Sequence, residues 1–155
     1  MTGKRSAGIL LYRMASTQPE VLLGHIGGPY WARRDAGAWT IPKGEYEPQE
    51  PPWDAARREF QEELGLPAPA GTPLPLGDTR QSGGKVVTIW ALEGDLDVAR
   101  VVPGTFELEW PPSSGQVRQF PELDRAAWLD LDSAREKIVP AQGVFLDRLV
   151  ANLSS

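Results

Sequence analysis

GEYEPQEPPWDAARREFQEELGL, residues 44–66, divides into a loop and a helix. Gly44 to Glu50 is polar and interrupted by proline. Pro51 suits the first helical position, where a missing N–H is not needed. At the far end Gly65 is placed for a left-handed cap, Leu66 folds apolar surface back, and Pro67 prevents the helix from resuming. Between these limits Trp53, Ala56, Phe60 and Leu64 recur at spacings of three and four and make one apolar stripe. Glu59, Glu62 and Glu63 fall at i, i+3 and i+4, so their side chains share a different face.

Three carboxylates on one face repel one another by about a few tenths of a kcal/mol per pair when exposed. Arg57 and Arg58 point elsewhere, and no lysine is interleaved among them. Two readings stand at this point: a solvated acidic face, or a site for a divalent cation that removes the repulsion. An all-oxygen cluster suits Mg²⁺ or Mn²⁺ better than zinc.

The same stretch resembles the signature of the Nudix hydrolases: a glycine, five residues, a glutamate, seven residues, then Arg-Glu-apolar-any-Glu-Glu-any-Gly-apolar. It is met here by Gly44, Glu50, Arg58, Glu59, Phe60, Glu62, Glu63, Gly65 and Leu66. The resemblance implies an α+β Nudix fold, a curved mixed β-sheet sandwiched between helices. It also implies hydrolysis of a nucleoside diphosphate linked to a further group, with Mg²⁺ or Mn²⁺ as cofactor. Carried onto this chain, the implied metal ligands are Glu59, Glu62, Glu63 and the backbone carbonyl of Gly44, while Glu50 and Arg58 form a structural ion pair.

The general base is left open among Glu59 and Glu62 within the motif and Glu122 outside it, with Glu109 as competitor. Trp39-x-x-Pro42-Lys43-Gly44 resembles the entrance of Nudix members acting on dinucleoside polyphosphates and on diphosphoinositol polyphosphates. A dinucleoside polyphosphate is therefore the leading substrate. Nucleoside triphosphates, nucleoside diphosphate-sugars or ADP-ribose, and diphosphoinositol polyphosphates stand behind it. A nucleotide-sensing module of the same fold is the alternative of another class; such modules have usually lost motif glutamates, and this chain keeps them.

Composition agrees with one enzyme domain over 1–155. A net charge of −5 argues against DNA or membrane as partner, because phosphate backbones are repelled, but leaves room for a small nucleotide whose charge a cation offsets. With no cysteine and one histidine, disulfides, thiolate chemistry and histidine-rich metal sites are excluded. No segment approaches the ~18 apolar residues of a membrane span, and a cytoplasmic protein is expected. A homodimer is common among Nudix relatives.

Outside the motif, Ser6–Tyr12 and Glu20–Ile26 read as a hairpin around a turn from Arg13 to Pro19. His25 ends the second strand as a half-buried histidine. Residues 30–37 form a loop whose Arg33 and Arg34 can meet phosphate and whose aromatics can meet a base; the plainer reading is a solvated loop. Lys43, held over the glutamates, is a candidate phosphate contact.

Val86–Leu92 is apolar on both faces and should be a central strand. Phe106–Trp110 alternates, with Glu107 and Glu109 on its wet face. Gln116–Glu122 leads into a strand at 126–131. Ser133 with Glu136 makes a capping box, and a last helix from about Ala141 buries Phe145, Leu146, Leu149, Val150 and Leu153. Trp53, Trp90 and Trp128 read as core; Trp31, Trp39 and Trp110 are candidates to flank a base, with core or rim packing the plainer reading of each.

Overall fold

The computed structural model describes residues 4–154 and is organised around its first strand, β1 (Arg5–Ala15). Alternation along β1 sends Ala7, Ile9 and Leu11 to one face and Leu10 and Tyr12 to the other, and all five are buried. β2 (Gln18–Ile26) returns antiparallel beside its end, with Tyr12 opposite Val21. β3 (Trp39–Thr40) adds to β2, and β4 (Lys43–Glu45) lies antiparallel against the start of β1, with Ala7 opposite Gly44.

The helix α1 (Pro52–Leu64) follows, and then β5 (Leu74–Arg80) and β6 (Val86–Glu93). β6 runs parallel to β1, from Arg5 opposite Val86 to Tyr12 opposite Glu93. β7 (Thr105–Glu109) and β8 (Val117–Pro121) form a separate two-stranded sheet. β9 (Leu123–Asp130) then pairs with β2 and completes a mixed seven-stranded sheet.

Helices cover both faces of that sheet. Ala55, Ala56, Phe60 and Leu64 of α1 pack on Ala7, Ile9, Leu11, Leu22 and Leu92. On the other face α2 (Leu131–Lys137) and α3 (Gly143–Leu153) bring Ala134, Phe145, Leu146 and Leu149 onto Leu10, Leu23, Val87 and Ile89. The expected α+β sandwich and the central place of β6 are what the structure shows. Phe60 is fully buried at the centre of the first layer, and Phe60→Ala is expected to lower unfolding free energy by about 3–5 kcal/mol, read by denaturant titration.

Several local expectations are corrected. Pro51 is the cap residue before α1, and Pro52 takes the first helical position. The β1–β2 turn is only Ser16–Thr17, with Ser16 left-handed at φ 60. The polar residues that suggested a longer turn pair across the ladder, Arg13 to Glu20 at 2.9 Å. Residues 117–121 are a strand, not a connector.

The α2 cap is Asp130, whose carboxylate accepts from the Ser133 amide, and not the Ser133–Glu136 box. On α3, Val150 is half-buried and Leu153 exposed, because the last turn runs beyond the sheet. Among the described residues no helix is long and apolar enough to cross a membrane.

Candidate active site

β4 and α1 build the acidic centre between them. Pairing with β1 lays β4 across the helix, so that the Lys43 amide donates to Glu63 Oε1 at 3.2 Å. A Cβ on Gly44 would stand 2.0 Å from Glu59 Oε2, and only glycine leaves the carboxylate its place. Arg58 accounts for the loop. Its Nε and Nη2 donate to the two oxygens of Glu50, each at 2.9 Å, the paired geometry in which guanidinium and carboxylate bind best. Against the expectation that Arg58 points away from the glutamate face, its Nη1 donates to Glu59 Oε1 at 2.8 Å and to Glu62 at 3.2 Å, because the long side chain reaches back over the neighbouring turn.

The helix end is closed by a distant segment. Gly65 takes the left-handed cap at φ 72, and the Val102 amide donates to the Leu64 carbonyl. A Cβ on Gly104 would lie 2.6 Å from the Glu62 carbonyl oxygen, so the chain passes directly over the acidic turn. The Glu122 amide then donates to the Gly104 carbonyl at 2.8 Å. This ties Glu122 to the stretch of chain that passes over the acidic turn.

Electrostatics register this crowding. Glu63 is only 8% exposed, and burial, then the charges of Glu122 and Glu59, push its carboxyl up to about 8. Burial also raises Glu59, against the pull of Arg58. Glu122 is raised by burial and by Glu62. Hydrogen bonding from Arg58 holds Glu50 below the usual carboxylate range. Burial depresses the Lys43 ammonium, partly offset by Glu63, and Lys85 adds repulsion from the turn before β6.

A cation fits this donor set. The glutamates share one region, two of them are withdrawn from water, and burial of unpaired carboxylates is costly unless opposite charge compensates it. Among the described residues, no three acidic or histidine side chains are yet gathered around one point. Arg58 Nη1 instead holds Glu59 and Glu62, and Glu62 is 58% exposed. Ligation would turn those two side chains from the guanidinium toward the ion.

The outer residues are sorted by the same geometry. Arg33 and Arg34 are exposed on the 28–37 loop, and the Arg34 guanidinium lies 5.3 Å from the Trp31 ring centre. Trp39, expected to face substrate, is a correction. It is 4% exposed, stands edge-on to His25, and donates its indole N–H to Asp35 at 2.9 Å. Glu109 is a second correction: at the outer end of β7 its carboxylate accepts from the Ser113 amide, and it takes no part in the acidic cluster.

Trp53, Trp90 and Trp128 are half-buried at the rim of the α1 layer. His25 is fully buried, not half-buried, with Asp124 and the Arg34 carbonyl as partners. Neither that contact nor the approach of Lys85 to Lys43 carries a signal of its own in the sequence, because both depend on strand register.

Comparison with known proteins agrees with this architecture. The sequence model of the NUDIX domain matches residues 3–149. Curated relatives named RNA pyrophosphohydrolase, from Pseudomonas savastanoi pv. phaseolicola and Pseudomonas syringae pv. tomato, are each 47% identical over 47 residues. The matched stretch is 30% of this chain and 30% of each relative.

Among solved structures, a C. elegans Ap4A hydrolase in a binary complex superposes with a TM-score of 0.66 at 24% identity, over 96% of this chain and 98% of that one. The NUDIX domain of Shewanella oneidensis NrtR, crystallised with ADP ribose, gives 0.63 at 13% identity, over 99% and 90%. At these identities the likeness is one of fold.

Proposed function

The chain belongs to the NUDIX family, and from that premise we propose that it is a metal-dependent hydrolase of P–O–P linkages in nucleotide-type substrates, with a dinucleoside polyphosphate as leading substrate. One observation supports the reading: Glu122, far along the chain, is tied through its amide to the segment that also caps α1, and its charge is felt at Glu63 while that of Glu62 is felt at Glu122. Four carboxylates brought together at a cost to the fold are consistent with a bound cation and a base. The activities that the relatives are named for, RNA pyrophosphohydrolase and Ap4A hydrolase, belong to the same bond class.

Glu59, Glu62, Glu63 and the Gly44 carbonyl would hold Mg²⁺ or Mn²⁺, which supplies positive charge for the phosphate oxygens and lowers the pKa of a coordinated water. Lys43 neutralises a neighbouring phosphate oxygen, and Arg33 and Arg34 receive the rest of the polyphosphate or the far nucleotide. Glu122 is the base we favour, because it stands beside the motif glutamates with a pKa raised by burial and by Glu62, nearer the working range of a proton acceptor. Arg58 and Glu50 keep the loop on the helix. The same reading has the protein acting in the cytoplasm, on small nucleotides and not on DNA.

The test is a hydrolysis screen at mildly alkaline pH with Mg²⁺ or Mn²⁺, resolving products by chromatography. The expected result is metal-dependent cleavage, with diadenosine polyphosphates preferred over nucleoside triphosphates, sugar nucleotides, ADP-ribose and diphosphoinositol polyphosphates. Cleavage of another class would replace the substrate while keeping the chemistry. Nucleotide binding without turnover would replace the enzyme by a sensor.

A further inference from the structure

His25 is a fully buried imidazole with two acceptor partners. Its Nδ1 lies 2.9 and 3.0 Å from the two carboxylate oxygens of Asp124, and its Nε2 lies 2.6 Å from the backbone carbonyl oxygen of Arg34. A carbonyl oxygen can only accept, and an ionised carboxylate can only accept. Each ring nitrogen thus faces an oxygen, and the ring bridges the two segments that carry them. Arg125 also approaches Asp124, at 3.4 Å, so that carboxylate is compensated as an anion from two sides.

The partners belong to different parts of the site. Arg34 lies on the exposed loop that presents the Arg33 and Arg34 side chains. Asp124 is in β9, two positions after Glu122. A second bond runs alongside, from the Gly27 amide to the Glu122 carbonyl at 2.9 Å. A Cβ on Gly27 would stand 1.9 Å from the Pro121 carbonyl oxygen, which shows how closely the two segments meet.

We propose that His25 is a positioning residue that, bonded through both ring nitrogens, locks the arginine loop at residues 28–37 to the Glu122 segment and so sets the geometry of the phosphate-receiving wall. The link itself stands on the hydrogen bonds; its bearing on substrate rests on the hydrolase reading above. A short loop with exposed arginines must be held in one conformation before substrate arrives, or each binding event bears the cost of ordering it. The buried ring supplies that order through a backbone carbonyl, so the arginine side chains stay free for ligand.

Two substitutions divide the ring's two contacts. The amide nitrogen of glutamine reaches roughly where Nε2 sits, and that of asparagine roughly where Nδ1 sits. His25→Gln keeps the bond to Arg34, whereas His25→Asn keeps only the one to Asp124. Hydrogen exchange is expected to accelerate about tenfold or more across residues 28–38 in His25→Asn, with the β2–β9 amides still protected, and to stay within about threefold of wild type in His25→Gln. Equal loop protection in both variants would overturn the proposal.

With whichever substrate is turned over, His25→Asn should raise KM by about tenfold and leave kcat within about twofold, the pattern of lost binding shared by ground and transition state. A fall in kcat at constant KM contradicts it. If no substrate of the panel is hydrolysed, the hydrolase reading fails, while exchange in the two variants still decides whether His25 holds the loop.

Discussion

Glu63→Gln is expected to abolish turnover and, in the absence of divalent ions at pH 8.5, to raise the melting temperature. The two effects have one origin. In the unfolded chain this carboxyl titrates near about 4.3. In the folded protein, burial and the neighbouring charges of Glu122 and Glu59 lift it to about 8. A carboxyl whose folded pKa is raised contributes stability that is fully present below its unfolded value. That stability is lost as pH rises through the folded value.

Across the window from about 4.3 to about 8, wild type should therefore lose a few kcal/mol from this residue alone, a loss glutamine does not suffer. The stability gap should close toward pH 5, and Mg²⁺ or Mn²⁺ should raise the wild-type melting temperature at pH 8.5 far more than that of the variant. Turnover should fall on the order of a thousandfold, as when a principal electrostatic group of a transition state is removed. Retained turnover, or a variant less stable than wild type at pH 8.5, would count against Glu63 as the buried charge of the site.

Gly44→Ala should separate site from fold in a different way. The added methyl would lie 2.0 Å from Glu59 Oε2 and 2.1 Å from its Cδ, which no packing tolerates. What must yield is the end of a flexible side chain, so β4 keeps its pairing while Glu59 swings out of the acidic cluster and off Arg58. Activity is expected to fall on the order of a hundredfold, the size associated with misplacing a catalytic group by about an ångström. Stability should change by about 1 kcal/mol or less. Parallel measurement of turnover and thermal melting checks this. A large loss of stability with activity intact would mean that Gly44 serves the backbone and not Glu59.

Local signals in the sequence proved informative wherever one element decides the outcome. The stripe through Phe60 and Leu64, the cap at Gly65 and the shared face of the glutamates are all properties of a single helix. Glu122 was legible for a different reason, through a resemblance that places a second acid before a late aromatic strand. What escaped depends on pairing between segments remote in sequence. β8, Val117–Pro121, puts Arg118 and Gln119 side by side and is mostly exposed, so no alternation marks it, and only β7 opposite makes it a strand.

Trp39 looks like an aromatic free to stack on a base, yet Asp35 satisfies its N–H and the β2–β3 register turns it inward. His25 looks ordinary because its partners, Asp124 and a backbone carbonyl, come from elsewhere in the chain. Ser133 and Glu136 have the spacing of a capping box, but Asp130 stands nearer the true start of α2 and takes the amide first.

The place of β1 in the sheet bears on how the protein comes off the ribosome. β1 is synthesised before all its partners, is flanked by β2 and β4 on one edge and by β6 on the other, and from Arg5 to Tyr12 waits for Val86–Glu93 to emerge. Until then it has only a hairpin partner and a three-residue strand, and isolated hairpins are at best marginal in water. Non-local pairing of this kind is slow to form. Until residues 86–93 have emerged, then, Ile9, Leu10 and Leu11 remain an unsatisfied apolar segment, a natural ligand for chaperones and a point of contact between nascent chains.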